Sequence, residues 1–234
     1  MTADPAPRPL RTFGRRRGHR LRQTRSTLVE TLLPVLRLPP VGLIDLDALF
    51  PAPKRAVWLE IGFGGGEHLA TQAAAHPDVG FIGCEVYIDG VGSLLRHIDR
   101  LGLENVRVHD GDAREVLARL PDASLQRVYL LFPDPWPKAR HHKRRFISPS
   151  ALDMLSRVLT DGGLLIFASD HADYAHWTLE NLTGRPDFQC LAGTPDDWRR
   201  PADWVESRYE AKARTAGARC FYVQFQRQER TPGL

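Results

Sequence analysis

A turn that contains three glycines is the first feature of the sequence that could bind a ligand. Gly62, Gly64 and Gly66 follow an apolar run that includes Glu60, and they let the backbone turn tightly and approach a ligand closely. A dinucleotide-binding fingerprint would need glycine at position 67, where this chain has Glu67, whose carboxylate would repel a pyrophosphate. The lysine of a phosphate-binding G-x-x-x-x-G-K-[ST] loop is also missing. The turn therefore favours a nucleoside cofactor that has no phosphate and carries positive charge.

Acidic residues follow the next two apolar runs of the chain. Glu85 follows the run Phe81–Cys84, and Asp112 comes shortly after the run Val106–Asp110. Because ligands bind at the carboxyl ends of the strands in a doubly wound sheet, we expect both acids to lie beside the glycine-rich turn. Glu85 could accept from both hydroxyls of a ribose, and Asp112 from the amino group of an adenine. Each acid alone could equally be a helix cap or a solvated strand end. Together with Glu60, however, they make three acids at successive strand ends, which favours a cofactor site.

The segment Phe132–Lys138 has the sequence Phe-Pro-Asp-Pro-Trp-Pro-Lys. Its three prolines stiffen the backbone and remove amide donors, so it is predicted to form an extended loop after the fourth strand. Such a loop could hold Asp134 and Trp136 beside the reacting group of a cofactor. It resembles the Asp/Asn-Pro-Pro-aromatic loop of enzymes that methylate base nitrogens, in which an aromatic ring stacks on an extruded base. A proline-rich strand exit without function is the alternative, and it does not account for the cations that follow directly.

Positive charge is concentrated in two segments of the chain. Residues 1–25 hold eight arginines and one acid, Asp4, so this segment carries +7, whereas the whole chain carries +4. The second segment contains no acid and holds Lys138, Arg140, His141, His142, Lys143, Arg144 and Arg145. Two such clusters favour a nucleic-acid partner. The alternatives are solvated faces in an arginine-rich chain and, for the amino terminus, an organelle transit peptide.

Apolar runs alternate with helical segments from residue 56 onward, which is typical of a parallel α/β sheet. The predicted strands are Ala56–Ile61, Phe81–Val86, Val106–Asp110, Arg127–Phe132 and Gly163–Ala168. The predicted helices are Glu67–His76, Ile88–Leu101, Arg114–Leu120, Pro149–Leu159 and Tyr174–Asn181, and an apolar stretch at Leu28–Leu36 supports at most a brief helix. Two final strands, Phe188–Ala192 and Cys220–Gln226, would form an antiparallel hairpin at one sheet edge. We therefore predict an α/β fold with a doubly wound, mostly parallel sheet, in which residues 26–234 form one domain and residues 1–25 a disordered basic arm that binds RNA.

Composition argues against several other classes of protein. Mean hydropathy is −0.33, and no apolar run approaches the roughly 18 to 20 residues that span a bilayer, so no membrane association is predicted. Cys84, Cys190 and Cys220 are isolated, so we expect neither a disulfide framework nor a thiolate zinc site, and a cytoplasmic location is favoured. The nine histidines show no ligand spacing with acids or cysteines, so no metal is predicted. No obligate protein partner is predicted either.

The pattern Phe-Pro-Asp-Pro-Trp-Pro-Lys-x-Arg-His-x-Lys-Arg-Arg at Phe132–Arg145 closely resembles the signature of the bacterial tRNA (guanine-N7-)-methyltransferase family. The resemblance extends over nearly the whole chain, from Arg11–Gln23 to the neighbourhood of Arg227. It implies a Rossmann-like class I methyltransferase fold with S-adenosylmethionine as the cofactor. It also implies transfer of a methyl group to guanine N7 in the variable loop of tRNA, which is the predicted partner.

The resemblance further implies roles for individual residues. Those assigned to the cofactor are Glu60, Gly62, Gly64, Gly66, Glu85, Asp112 and Asp134, and Asp134 also matches the catalytic aspartate. Those that match substrate contacts are Lys138, Asp170, Ser207, Arg208, Tyr209 and Glu210. The RNA-contacting loop would contain Arg140, His141, His142, Lys143, Arg144 and Arg145. The family usually has threonine where this chain has Ser207, which keeps the hydroxyl, so substrate binding is expected to survive.

Two other functions fit part of the pattern. An enzyme that methylates an exocyclic amino group of RNA or DNA would also use an acid and a proline carbonyl in such a loop. An RNA-binding protein that kept the fold without the activity would also be basic. The intact acids at Glu60, Glu85, Asp112 and Asp134 argue against the second of these.

Overall fold

The computed structural model describes residues 21–192 and 208–230, together with positions 14, 16, 18, 198, 200 and 204–206. Its helices are α1 (Gln23–Thr31), α2 (Leu33–Leu36), α3 (Glu67–Ala75), α4 (Ile88–Leu101), α5 (Ala113–Leu117), α6 (Pro149–Val158), α7 (Ala172–Thr183) and α8 (Arg208–Thr215). Its strands are β1 (Ala56–Ile61), β2 (Val79–Cys84), β3 (Val106–His109), β4 (Leu125–Leu131), β5 (Leu159–Ser169), β6 (Phe188–Cys190) and β7 (Phe221–Arg227). A short 3₁₀ helix, Ala139–Arg144, lies between β4 and α6.

The described strands form one sheet in the order β3-β2-β1-β4-β5-β7-β6. The first five run parallel, whereas β7 pairs antiparallel with both β5 and β6. The order of the strands reverses between β1 and β4, and such a switch point opens a crevice at the carboxyl ends of the strands. The predicted α/β fold, with a mostly parallel sheet and an antiparallel pair at its edge, is confirmed.

Helices cover both faces of the sheet, which explains the apolar character of its central strands. Every residue of β1 and β2 is buried, as expected for parallel strands between two helical layers. Successive side chains of β1 point to opposite faces. Leu59 belongs to the core that includes Leu117 of α5 and Leu152 of α6, and Trp58 belongs to the core that includes Leu94 of α4. The sheet is therefore a rigid support for the loops at its carboxyl edge.

Some elements match the sequence-based expectations and others differ from them. β1 and α4 occupy the predicted residues. β5 begins at Leu159 rather than Gly163, because Leu159 already pairs with Leu125, ahead of a register shift in which β5 contains the extra residues. The sequence does not predict α8, since this helix is mostly charged and buries Glu210 and Ala213 without an apolar stripe.

The first helix reaches into the segment that the sequence assigns to the basic arm. α1 begins at Gln23 and packs on α4. Arg25 Nη1 donates to Asp89 Oδ1 at 2.5 Å, and a Cβ added to Gly92 would lie 3.1 Å from Cβ of Arg25. Arg25 therefore packs with the folded part of the chain, and RNA binding by the arm stays a prediction.

Candidate active site

A cavity of about 740 Å³ opens at the carboxyl edge of the parallel strands. Its wall includes Gly62 and Gly64 after β1, Glu85 after β2, Asp112 after β3 and Asp134 after β4. The fold thus brings together predicted site residues from four separate strand ends.

The glycine-rich turn requires glycine for conformational and for steric reasons. Gly62, Gly64 and Gly66 have φ angles of 70°, 56° and 79°, which strain any residue with a Cβ. A Cβ at position 64 would lie 2.8 Å from the ring of Tyr209 in α8. A Cβ on Gly90 would lie 2.3 Å from the carbonyl oxygen of Gly64. The turn is therefore held between the first turn of α4 and α8.

Glu85 is anchored by the backbone on both of its carboxylate oxygens. Oε2 accepts from the amide of Gly64 at 2.8 Å, and Oε1 accepts from the amide of Tyr87 at 2.9 Å. Burial raises the pKa of Glu85, the two backbone donors oppose this effect, and the nearby charge of Asp134 adds to it. Each oxygen keeps a further lone pair, so the carboxylate can still accept from two hydroxyls at the cavity wall.

Asp112 caps α5 and also lines the cavity. Its Oδ1 accepts from the backbone amide of Arg114 at 3.0 Å, and its Oδ2 accepts from Nη2 of the same residue at 2.6 Å. Burial opposes ionisation of Asp112, but the hydrogen bonds from Arg114 outweigh it, so the pKa lies below its ordinary value. Asp112 is therefore a helix cap, which the sequence offers as one alternative for this acid, and its contact with adenine stays a prediction.

Glu60 lies behind the turn. Its side chain is 5% exposed, and Oε2 lies 2.7 Å from Nδ1 of His68 in α3. Among the described residues, the cavity wall does not include Glu60 or Gly66. The Glu60–His68 pair instead joins the two ends of the turn at its base, and a direct cofactor contact by Glu60 stays a prediction.

The proline-rich loop carries its functional side chains to the cavity. Asp134 is exposed and lines the wall together with Trp136. Phe132 and Trp136 have φ angles of 49° and 45°, a strained conformation for residues other than glycine that is concentrated at functional sites. The guanidinium of Arg144 lies 4.8 Å from the ring centroid of Trp136. The loop therefore presents a carboxylate and an indole on one wall.

The cationic block after the loop divides into an exposed and a buried part. Lys138, Arg140 and Lys143 are exposed, and Arg144 is half-buried on the cavity wall. Arg145 differs from them, because its side chain is 0% exposed. Arg145 also belongs to the lining of the cavity, and its contact with RNA stays a prediction that this burial does not favour.

The two histidines of this block are half-buried and pack on aromatic rings. His141 lies edge-on to Trp136 with 6.0 Å between ring centroids. Partial burial and then the surrounding cations, Arg144 first, lower the pKa of His141. His142 packs on Trp177 of α7 at 5.4 Å, with Nε2 3.7 Å from Oδ2 of Asp173. Their contact with RNA stays a prediction.

The predicted substrate residues do not all reach the cavity. Tyr209 lines it and is 58% exposed, and Asp170 is exposed directly after β5. Glu210 is fully buried instead: its Oε2 accepts from Trp204 Nε1 and its Oε1 from Tyr222 Oη, both at 2.5 Å. In this arrangement Glu210 holds α8 on the sheet rather than lining the cavity.

Two predicted substrate contacts cannot be placed. Ser207 and the side chain of Arg208 lie outside the described residues.

Residues of the amino-terminal segment also reach the site, which sequence reasoning missed. Gly14 lines the cavity, and the carbonyl of Arg16 accepts from the amide of Ile88 at 3.2 Å. A Cβ on Gly18 would lie 2.3 Å from the hydroxyl of Tyr87. The sequence carries no signal for this contact, because it depends on the path of the chain across the start of α4.

The described residues offer neither a membrane-spanning helix nor a cluster of metal ligands. None of the helices there is long and apolar enough to cross a membrane. In the same part of the chain, no three side chains of His, Cys, Asp or Glu are grouped so that they could hold a metal ion.

Known proteins match the chain over most of its length. The family described as "Putative methyltransferase" matches residues 54–223. A relative from Rhodospirillum rubrum named tRNA (guanine-N(7)-)-methyltransferase is 54% identical over 226 residues, which covers 94% of this chain and 89% of the relative. A relative of the same name from Zymomonas mobilis is 48% identical and covers 93% of this chain and 94% of the relative.

Solved structures of other methyltransferases share the fold. The 16S rRNA methyltransferase KamB superposes with a TM-score of 0.54 at 14% identity, covering 75% of this chain and 89% of that chain. A protein described as "a putative methyltransferase from streptococcus mutans in complex with SAH" has a TM-score of 0.50 at 10% identity, covering 78% of this chain and 93% of that chain. These likenesses concern the fold alone.

Proposed function

Because the chain belongs to the tRNA (guanine-N7-)-methyltransferase family, we propose that it transfers a methyl group from S-adenosylmethionine to N7 of a guanosine in the variable loop of tRNA. One observation carries the location of this chemistry. A single cavity brings together the glycine-rich turn, Glu85 and Asp134, and the cations Lys143 and Arg144 stand on the same wall.

The cavity wall fits the chemistry of S-adenosylmethionine. The turn presents backbone without a Cβ at Gly62 and Gly64, which allows close approach of a ligand. Glu85 would accept from the two ribose hydroxyls through its fixed carboxylate. The carboxylates of Glu85 and Asp134 suit a cofactor that carries sulfonium and ammonium groups, and no phosphate has to be accommodated. When bound, the cofactor supplies an electrophilic methyl group.

The reaction requires little acid–base catalysis by the protein. Guanine N7 carries a lone pair and no proton, so no general base has to create the nucleophile, and alignment is the main task. Trp136 lies on the cavity wall where it could stack on an extruded guanine. Methylation leaves positive charge on the purine, and the Asp134 carboxylate would stabilise that charge if it is fixed near the base.

The exposed cations beside the cavity would bind the tRNA backbone. Lys138, Arg140 and Lys143 project from the end of the proline-rich loop and from the short 3₁₀ helix that follows it. Contacts to phosphate set the register of a nucleic acid, whereas contacts to the base choose the target. Residues 1–25 would add a second basic contact with RNA. Replacing Arg8, Arg11, Arg15 and Arg17 by alanine, which keeps Gly14, Arg16 and Gly18 at the site, should then lower tRNA affinity, whereas a transit peptide would lose none by this change.

A methylation assay tests the proposal directly. The full chain is incubated with bulk tRNA and isotope-labelled S-adenosylmethionine, and the product nucleosides are identified by mass spectrometry after digestion. We expect labelled 7-methylguanosine in fragments that contain the variable loop. Label on an exocyclic amino group would favour the amino-group methyltransferase instead. Cofactor binding in calorimetry without any methyl transfer would favour the RNA-binding protein.

A further inference from the structure

The cationic block after the proline-rich loop contains one fully buried side chain among its described residues, that of Arg145. Lys143, two residues earlier, is exposed. Two cations so close in sequence therefore have different surroundings, and they need not share a role.

The buried guanidinium joins the proline-rich loop to α7. Arg145 Nε donates to the carbonyl oxygen of Pro135 at 2.9 Å, and Nη2 donates to Asp173 Oδ2. The same guanidinium lies 4.9 Å from the ring centroid of Tyr174 and 5.3 Å from that of Trp177. Asp173, Tyr174 and Trp177 are all in the first two turns of α7. One side chain thus connects the loop to a helix of the sheet domain.

The backbone that follows Arg145 is fixed to the same helix. The hydroxyl oxygen of Tyr174 accepts from the amide of Phe146 at 3.0 Å. Trp177 Nε1 donates to the carbonyl oxygen of Ile147 at 2.8 Å. Tyr174 is itself fully buried, so the anchor is part of the core. Arg145 therefore stands on a rigid base when it holds Pro135.

The loop needs a support of this kind. Pro133, Pro135 and Pro137 have no amide hydrogen, so they cannot hold the loop by donating to neighbouring carbonyls. Phe132 and Trp136 add strained backbone, which persists only where surrounding contacts enforce it. The carbonyl held by Arg145 belongs to Pro135, the residue directly after Asp134, so its orientation limits where the Asp134 carboxylate can point.

We propose that Arg145 is a positioning residue that fixes the loop and thereby Asp134, and that it does not contact tRNA. The proposal rests on the proposed function, since Asp134 is the group being positioned. Asp173 completes the support from the side of α7. The hydrogen bond from Arg145 lowers the pKa of Asp173, which favours the charged form of this carboxylate.

Two substitutions test the proposal from opposite sides of the ion pair. Arg145→Lys keeps the charge but loses the planar fork that reaches Pro135 and Asp173 together. Asp173→Asn leaves Arg145 in place and removes its charged partner, which is 56% exposed. We expect each to lower the single-turnover rate at saturating tRNA and cofactor by about 10- to 100-fold, because misplacing a reacting group by about 1 Å can cost that much. The double variant should lose less than the product of the two effects.

The affinity for tRNA separates positioning from RNA contact. We expect tRNA affinity and its salt dependence to stay unchanged in Arg145→Lys and Asp173→Asn, whereas Lys143→Ala should flatten the slope of log affinity against log salt by about 0.7 to 0.9. Asp153→Asn is the matched control. Asp153 is an exposed acid of α6 that pairs with Arg185 at 2.7 Å, and it does not line the cavity. It should leave both rate and affinity unchanged.

Several results would overturn the proposal. One is an unchanged single-turnover rate in Asp173→Asn, which should fold normally because its side chain is exposed; thermal unfolding checks this. Another is loss of tRNA affinity by Arg145→Lys with an intact rate at saturation. A wild-type rate in Asp134→Ala would also overturn it, because there would then be no positioned group. A product other than 7-methylguanosine would instead overturn the proposed function, while the rates of the same variants would still decide the role of Arg145.

Discussion

Replacing Glu85 by glutamine tests the cofactor site most directly. The substitution keeps the shape of the side chain but turns one acceptor oxygen into an NH₂ group. In the structure each carboxylate oxygen accepts one backbone amide, from Gly64 or from Tyr87. An NH₂ group must therefore face one of these donors, and the ribose loses a charged acceptor.

The size of the effect follows from these contacts. A hydrogen bond to a charged group contributes about 1.5 to 3 kcal/mol. Loss of one such bond corresponds to a decrease in cofactor affinity of roughly 10- to 150-fold, since about 1.4 kcal/mol is tenfold. The change should be measured by calorimetric titration with S-adenosylmethionine in the absence of tRNA. Glu115→Gln is the matched control, because Glu115 is exposed, lies near the same edge of the sheet and pairs with His109.

The pH dependence of binding gives an independent check. Burial raises the pKa of Glu85, so its carboxylate takes up a proton at a higher pH than an ordinary glutamate does. The protonated form accepts poorly from two hydroxyls, and cofactor affinity should therefore fall as the pH is lowered through that raised pKa. Glu85→Gln has no such group and should show a flatter profile. If Glu85→Gln bound the cofactor as tightly as the wild type, the ribose assignment would be wrong.

Three further predictions concern the loop, the cations and the base of the turn. Asp134→Ala should lower the single-turnover methylation rate by at least about 100-fold, because one preorganised electrostatic group is lost. The affinity for tRNA in a binding assay should stay nearly intact. A rate near that of the wild type would remove Asp134 from the mechanism. Replacing Arg140 and Lys143 together by alanine should flatten the salt slope of tRNA binding by about 1.4 to 1.8 with unchanged cofactor affinity, and an unchanged slope would make them solvated side chains. His68→Leu leaves the buried Glu60 without its donor and should lower the free energy of unfolding in denaturant titrations by about 1 to 3 kcal/mol. Equal stability of this variant and the wild type would contradict the proposed bond across the turn.

Local patterns were sufficient to predict the framework of this protein. The apolar run of β1 and the amphipathic spacing of α4 predict those elements at their observed residues, because both signals are contained in a few consecutive side chains. The same holds for Gly64, which the turn requires, and for the proline-rich loop that carries Asp134 to the cavity. Parallel strands place their carboxyl ends at one edge, so the meeting of these residues follows from the order of elements.

Tertiary packing alone decided which charged side chains are exposed and which are buried. Residue type gives the charge of Glu60, Arg145 and Glu210, but exposure depends on partners far away in sequence. Arg145 is covered by α7, and Glu210 is held by Trp204 and Tyr222. A buried charge is stable only with partners that satisfy it, and distant elements supply those partners after the chain has folded. The sequence therefore determined which charged groups are present, and the tertiary structure decided which of them are buried with partners and which stay exposed.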